Sequence, residues 1–307
     1  MSTLASVLEP VGDLTHVFGS LDSWHLLRAV GRRPAVMAFV LPGVFAERSL
    51  HRSVSAWVVE SEPLRDQLLA AGVPPHGIRL IYPGVDLGRF RPAAPPADSF
   101  RVVFASTPAD PAEFEARGIP LLVETARRCP DVEFVLPWRQ WGDADAATCA
   151  LALLQPPPNF RVDPQDVVDM SEVYRSSHAT ICLFSPGFGK PCPNSVIEGL
   201  ASGRPVVLSH ACGISSLVGR HGAGLSVSSD SRAVAAAINR LRDDYDRFSE
   251  RARLLAEMRF DLRLFLKTYR DLYAEVAEEH APRRYHQLAN KRHGGPNPVV
   301  TARTAAD

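Results

Sequence analysis

Glu198 and its flanking residues are the part of this 307-residue chain whose types and spacing suit a chemistry. In Ser185 to Leu208, SPGFGKPCPNSVIEGLASGRPVVL, Pro191 and Pro193 stiffen a loop that cannot extend a ladder, and Asn194 and Ser195 are residue types that open helices. Ile197, Leu200 and Ala201 recur at helical spacing, Gly203 is a C-terminal stop, and Pro205 to Leu208 reads as a short buried strand. The pattern predicts loop, helix, turn, strand. Such a junction collects unpaired backbone N–H groups and the positive end of a helix dipole, which suits a phosphate, with Glu198 one turn in. Ser195-x-x-Glu198 is also a capping box, in which Glu198 bonds only its own helix's first amide.

The stretch resembles the donor-binding segment of the retaining glycosyltransferases of family 4, also called glycosyl transferases group 1. There two glutamates lie eight positions apart, ahead of a small-residue helix and a G-x-P-V-V ending. Glu198 to Val207 matches the second half. The first half departs: eight positions before Glu198 stands Lys190, and aligning Gly187-Phe188-Gly189 with the family puts Pro186 there instead. In either frame the first acid is missing.

Composition narrows the setting. The net charge is zero, which gives no electrostatic ground for nucleic acid or an anionic membrane surface. The five cysteines stand apart, with no C-x-x-C pair, and read as buried thiols. No metal site follows from them. MSTLASVLEP lacks the basic and apolar regions of a leader and no run approaches a membrane span, so the protein is expected in the cytoplasm.

The elements that must position Glu198 read as alternating strands and helices, which predicts an α/β fold with parallel sheets. Leu14 to Phe18 is a strand, Leu21 to Val30 a helix, Ala35 to Val40 and Trp57 to Val59 strands, Pro63 to Ala71 a helix, and Ile78 to Ile81 a strand before Gly84-Val85-Asp86. Arg91 to Asp98 is a Pro/Ala linker. Beyond it come Phe100 to Ala105 as a strand, Leu121 to Arg128 as a helix and Val132 to Leu136 as a strand. Trp138 and Arg139 follow that strand, where an α/β crevice binds ligands, although the tryptophan could equally pack on a helix. Ala179 to Phe184 leads into the central segment. Arg232 to Leu241, Tyr245 to Glu257 and Leu262 to Val276 are helices, and the polar tail from Pro282 reads as disordered.

The resemblance extends, more weakly, over residues 14 to 276. It implies a GT-B fold, two Rossmann-like parallel-sheet domains facing a cleft: an acceptor-side domain over 1–92, a donor domain over 98–261, and a helix over 262–276 that packs back on the first domain. His16, by its likeness to a strand-end histidine of the family, is implied near the reacting sugar; the alternative is an ordinary surface hydrogen bond. About a dozen residues with one glycine, Gly12, precede that strand. The expectation is a truncated N-terminal domain, completed by a partner subunit or by a true start that lies upstream.

In the family a Gly-Arg and a Lys-Gly supply two cations that clamp the donor diphosphate. Arg117-Gly118 matches the second, and Ser106 and Thr107 stand in place of the first. The four key positions then sum to plus one, with Arg117, Lys190 and Glu198 charged. The expected chemistry is sugar transfer with retention, without metal or cofactor, from a nucleoside diphosphate sugar to an acceptor that the sequence does not name. Lys190 is expected to replace the missing cation, a compact ammonium suiting a point contact in a chain with three lysines against 31 arginines. The alternative is a non-catalytic partner subunit or sugar-nucleotide-binding protein.

Overall fold

Runs of branched and small apolar residues, buried on both faces, form the strands. Ala35–Phe39 and Ala56–Val59 are buried at every position, as are Ala179–Cys182 and Val206–Ser209, the pattern of strands covered by helices above and below. The structure, a computed structural model, describes residues 11–19, 33–40, 54–108, 110–139, 144–165 and 169–280. The helix expected over Leu21 to Val30, the residues Gln140 and Trp141, and the tail from Pro282 lie outside the described residues.

The described residues form two parallel sheets. In the first, β1 (Thr15–Gly19), β2 (Ala35–Phe39), β3 (Ala56–Val59) and β4 (Ile78–Leu80) lie in that order. Helix α1 (Glu62–Ala70), capped by the Ser61 hydroxyl, follows β3. The second sheet contains β5 (Phe100–Val103), β6 (Val132–Arg139), β7 (Phe160–Gln165), β8 (Ala179–Cys182), β9 (Val206–Ser209) and β10 (Gly224–Val227). Their order is β10-β9-β8-β5-β6-β7. This is the doubly wound arrangement, and its strand order reverses between β5 and β8, where a crevice opens at the strands' C-terminal ends.

Helices α2 (Phe114–Arg117), α3 (Ile119–Arg128), α4 (Ala144–Leu153), α5 (Met170–Arg175), α6 (Asn194–Ala201), α7 (Ser215–His221), α8 (Ser231–Asp243) and α9 (Tyr245–Arg259) belong to this half. The last, α10 (Leu262–Glu279), returns to the first sheet and buries Tyr269, Leu272 and Val276 with Val36, Ala38, Ala56 and Val58. Where the chain returns, the Val85 amide donates to the Phe260 carbonyl at 2.7 Å and the Leu262 amide to the Val85 carbonyl at 3.1 Å. Gly84 permits this approach, since a Cβ there would lie 2.8 Å from Leu262 Cα. Among the described residues no helix is long and apolar enough to cross a membrane.

Strand β6 runs three residues beyond the expected end at Leu136. Past Val135 it no longer pairs with β5, only with β7, so Pro137 is tolerated where one side of the ladder is open. Because side chains alternate along a strand, Trp138 falls on the same face as Phe134 and Leu136.

Arg204 is only 1% exposed. Its guanidinium donates to the carbonyls of Tyr174, Arg175 and Ala93 and to the Tyr245 hydroxyl, at 2.8–3.1 Å. It joins the C-terminal end of α5, the start of α9 and the interdomain linker. Arg204→Met should leave these four acceptors unpaired and lower stability by about 4 kcal/mol, on the order of 1 kcal/mol for each; urea unfolding would check it.

Candidate functional site

At the sheet's reversal point, Arg117 ends α2 and Gly118 starts α3. Gly118 has φ of 76°, and an added Cβ would collide with the Leu183 carbonyl just beyond β8; glycine is required on both counts. The guanidinium of Arg117 donates to Ser106 Oγ at 2.6 Å and to Glu113 Oε2 at 2.8 Å, and lies 5.2 Å over the Phe188 ring. Ser185, the first residue of the central segment, donates its amide to the Ala116 carbonyl at 2.9 Å. Ser106, Arg117, Gly118 and the central segment therefore meet at one place in the fold. Thr107 is buried and donates to the Pro137 carbonyl at 3.0 Å, which ties the loop after β5 to β6.

Helix α6 starts at Asn194 with Pro193 as its cap, and no side chain caps it. Ser195 is already inside the first turn, so the capping box is not formed. The Glu198 Oε2 lies 3.3 Å from the Tyr174 hydroxyl, which donates to the Ser195 carbonyl at 2.9 Å. The next residue, Gly199, lets α6 approach β8, where a Cβ would collide with Thr180 Oγ1. Asn194 is exposed, and its Oδ1 accepts from Lys190 Nζ at 3.4 Å.

Lys190 faces the other domain. Its ammonium is 3.8 Å from Glu60 Oε2, at the end of β3. Glu62, two residues on, accepts from Arg220 of α7 through both carboxylate oxygens at 2.7 and 2.9 Å. A cavity of about 220 Å³ lies between the domains, lined by Ser61, Pro63, Leu64 and Gln67 on one side and by residues 187–191, Ala211 and Gly213 on the other. Burial raises the Glu60 carboxyl to about 7, against the pull of Lys190.

Two expected site residues lie elsewhere. His16 is the second residue of β1, not its last. By register, Glu60 stands four strand positions further along the sheet than His16, roughly 13 Å at the usual rise. The His16 ring has Nδ1 2.6 Å from the Tyr273 hydroxyl and packs against Phe18 and Tyr269, while Nε2 is buried without a hydrogen-bond partner. It serves the contact between β1 and α10. Trp138, expected in the crevice, is 3% exposed and packs edge-on against Phe114 in the core, because β6 continues and alternation turns it inward. Arg139 ends β6, and its side chain lies outside the described residues.

Residues 111–244 match the sequence family described as Glycosyl transferases group 1. Over that stretch the chain matches a group 1 glycosyltransferase domain. No protein of curated function matches it in sequence. Among solved structures it is similar to a glycosyltransferase from Rickettsia africae, with a TM-score of 0.73 and 18% identity over 89% of this chain and 79% of that one. The Anabaena protein HepE in complex with UDP and glucose gives a TM-score of 0.71 and 18% identity over 89% and 81% of the two chains. A sucrose-phosphate synthase from Thermosynechococcus elongatus gives 0.70 and 20% over 89% and 76%. These likenesses identify the GT-B fold, and the matched residues 111–244 belong to the half built on the second sheet.

Tyr174 and Arg220 carry no local sequence signal of a site. Glu60 had a signal: it directly follows the apolar run Trp57 to Val59, at the strand end where crevice residues sit.

Burial holds the His16 ring at about 4, well below its ordinary value of 6.5. The folded state then resists protonation that the unfolded chain accepts below 6.5, so the contribution is complete above pH 6.5 and is lost as pH falls to 4. His16→Asn should lose less stability than the parent between pH 7 and 4.5. The difference should be on the order of 1–2 kcal/mol, discounted because the ring is only partly buried, and urea unfolding at the two pH values would measure it.

Proposed function

We propose that the protein transfers a sugar, with retention, from a nucleoside diphosphate sugar to a small-molecule or glycan acceptor. The observation that carries this reading is the meeting of Arg117, Gly118 and the segment holding Lys190 and Glu198 at the reversal point of a group 1 glycosyltransferase domain. HepE, which shares the fold, has been solved with UDP and glucose and with UDP-glucose.

In this reading the donor lies across the C-terminal ends of β5 and β8. Glu198, kept in place by Tyr174, takes the ribose hydroxyls. Arg117 and Lys190 face the diphosphate, with the amides at the start of α6 beside Asn194 and Ser195, and with Ser106 beside Arg117. Charge developing on the departing diphosphate is met by cations already in position, so the barrier falls through electrostatic stabilisation and no metal is required. The protein works in the cytoplasm, where nucleotide sugars are made.

Arg117 is already engaged by Glu113, and a lysine stands where the family has an acid. These two facts favour a second reading, a non-catalytic glycosyltransferase-like subunit or sugar-nucleotide-binding protein. Transfer assays with a range of acceptors separate the two once the donor is known.

Thermal unfolding with a panel of nucleoside diphosphates and their sugars tests the donor site, because a ligand that binds only the folded state raises the midpoint. One nucleotide should raise it by several degrees in the parent and by none in Glu198→Ala. A panel without any shift would overturn the reading. Lys190→Met should remove donor binding at least tenfold, measured by calorimetry with the same nucleotide, and unchanged affinity would take Lys190 out of the site.

A further inference from the structure

The pair between Glu60 and Lys190 is unusual in both its members. Glu60 comes from the first sheet and Lys190 from the loop before α6, so the pair spans the cleft. Glu60 is 7% exposed, and its Oε2 has no hydrogen-bond partner; the ammonium at 3.8 Å is within ion-pair range but beyond a hydrogen bond. The other ionisable groups that act on or feel Glu60 are the Tyr269 hydroxyl of α10 and the buried Cys192 thiol. Neither is a cation. Glu62 is already bound by Arg220. Among the described residues, Lys190 is therefore the cation that Glu60 faces.

Lys190 also lines the cavity between the domains. Its loop carries Gly187 and Gly189 at φ of 78° and 72°, and its second contact, with Asn194, is long at 3.4 Å. An ammonium held at such distances on a four-carbon stem can turn to an anion that enters the cavity. The carboxylate it leaves cannot turn to water.

We propose that Lys190 is shared between two anions. Glu60 holds it across the cleft when the pocket is empty, and the donor diphosphate takes it on binding, so that donor binding draws a proton onto Glu60. The inference rests on the donor reading above. In chemical terms, the Lys190 ammonium exchanges one oxyanion for another, and a proton from water moves to a Glu60 carboxylate oxygen, because a buried carboxylate without its cation favours the neutral form. Glu60 touches no substrate; it is a positioning residue that makes donor affinity depend on pH.

The test uses UDP-glucose, ADP-glucose and GDP-mannose, whose diphosphates are esterified at both ends and keep a constant charge between pH 6 and 8. With the empty-state carboxyl at about 7, the parent should bind its donor about tenfold more weakly at pH 8 than at pH 6. Calorimetry in buffers of different ionisation enthalpy should show uptake approaching one proton at pH 8. Glu60→Gln should bind with nearly equal affinity at both pH values and should outbind the parent at pH 8. Wild-type affinity that does not change with pH, binding without proton uptake, or the same pH slope in Glu60→Gln would each overturn the inference. Binding that depends on Glu198 but not on pH would overturn this inference alone. Failure of all three sugars to bind would overturn the donor reading and this inference with it.

Discussion

The chain passes between its two sheets twice, and the two passages are bonded to each other. Val85 exchanges backbone hydrogen bonds with Phe260 and Leu262, so the outgoing strand and the returning helix leave from one point. From there α10 lies on the first sheet and fills its lower core with Tyr269, Leu272 and Val276. That sheet is covered on one face by a helix whose sequence belongs to the far end of the chain. The apposition of the two domains is thus part of folding the smaller one, not a later docking of two finished bodies.

With the domains held in this way, the segment Glu60-Ser61-Glu62 meets the second half with two carboxylates. Glu62 accepts from a single Arg220 nitrogen through both of its carboxylate oxygens, and Glu60 makes a longer, buried contact with Lys190. The two pairs differ in physical character. The first is partly open to solvent and worth little by itself. The second removes a carboxylate from water with incomplete compensation, a cost that a folded protein tolerates where the charge has other work.

Much of the doubly wound half was legible in the sequence. The segment from Pro191 to Leu208 carries its loop, helix, turn and strand in proline and glycine positions and in the period of its apolar residues, and the structure has those elements. Strand β7 and helices α4 and α7 are faint in the sequence: Phe160–Gln165 alternates over only four residues before a proline, and Ser215–His221 is short, with a glycine inside. The site is legible only in part. Arg117 and Gly118 are where a strand-to-helix crossing puts them, but β6 continues past Leu136 and takes Trp138 into the core, and His16 lies inside β1, as the apolar pattern has it, while the histidine it resembles ends its strand. Where a strand ends decides whether a residue such as Trp138 follows the sheet's alternation into the core or stands free in the crevice. Contacts between distant segments, such as Tyr174 with Glu198 or Glu60 with Lys190, leave no mark in local pattern.

Arg204 binds the Ala93 carbonyl in the linker and the Tyr174 carbonyl at the end of α5, and the same Tyr174 reaches Glu198 with its hydroxyl. The linker is therefore part of the frame that orients Glu198. For anyone recombining halves of related proteins, the seam does not fall at the proline-rich stretch, which looks like a natural joint. An exchanged half would have to bring the backbone of Ala93, the turn at Gly84 and Val85, and the whole of α10 with it. The second half of this protein is not an interchangeable cassette.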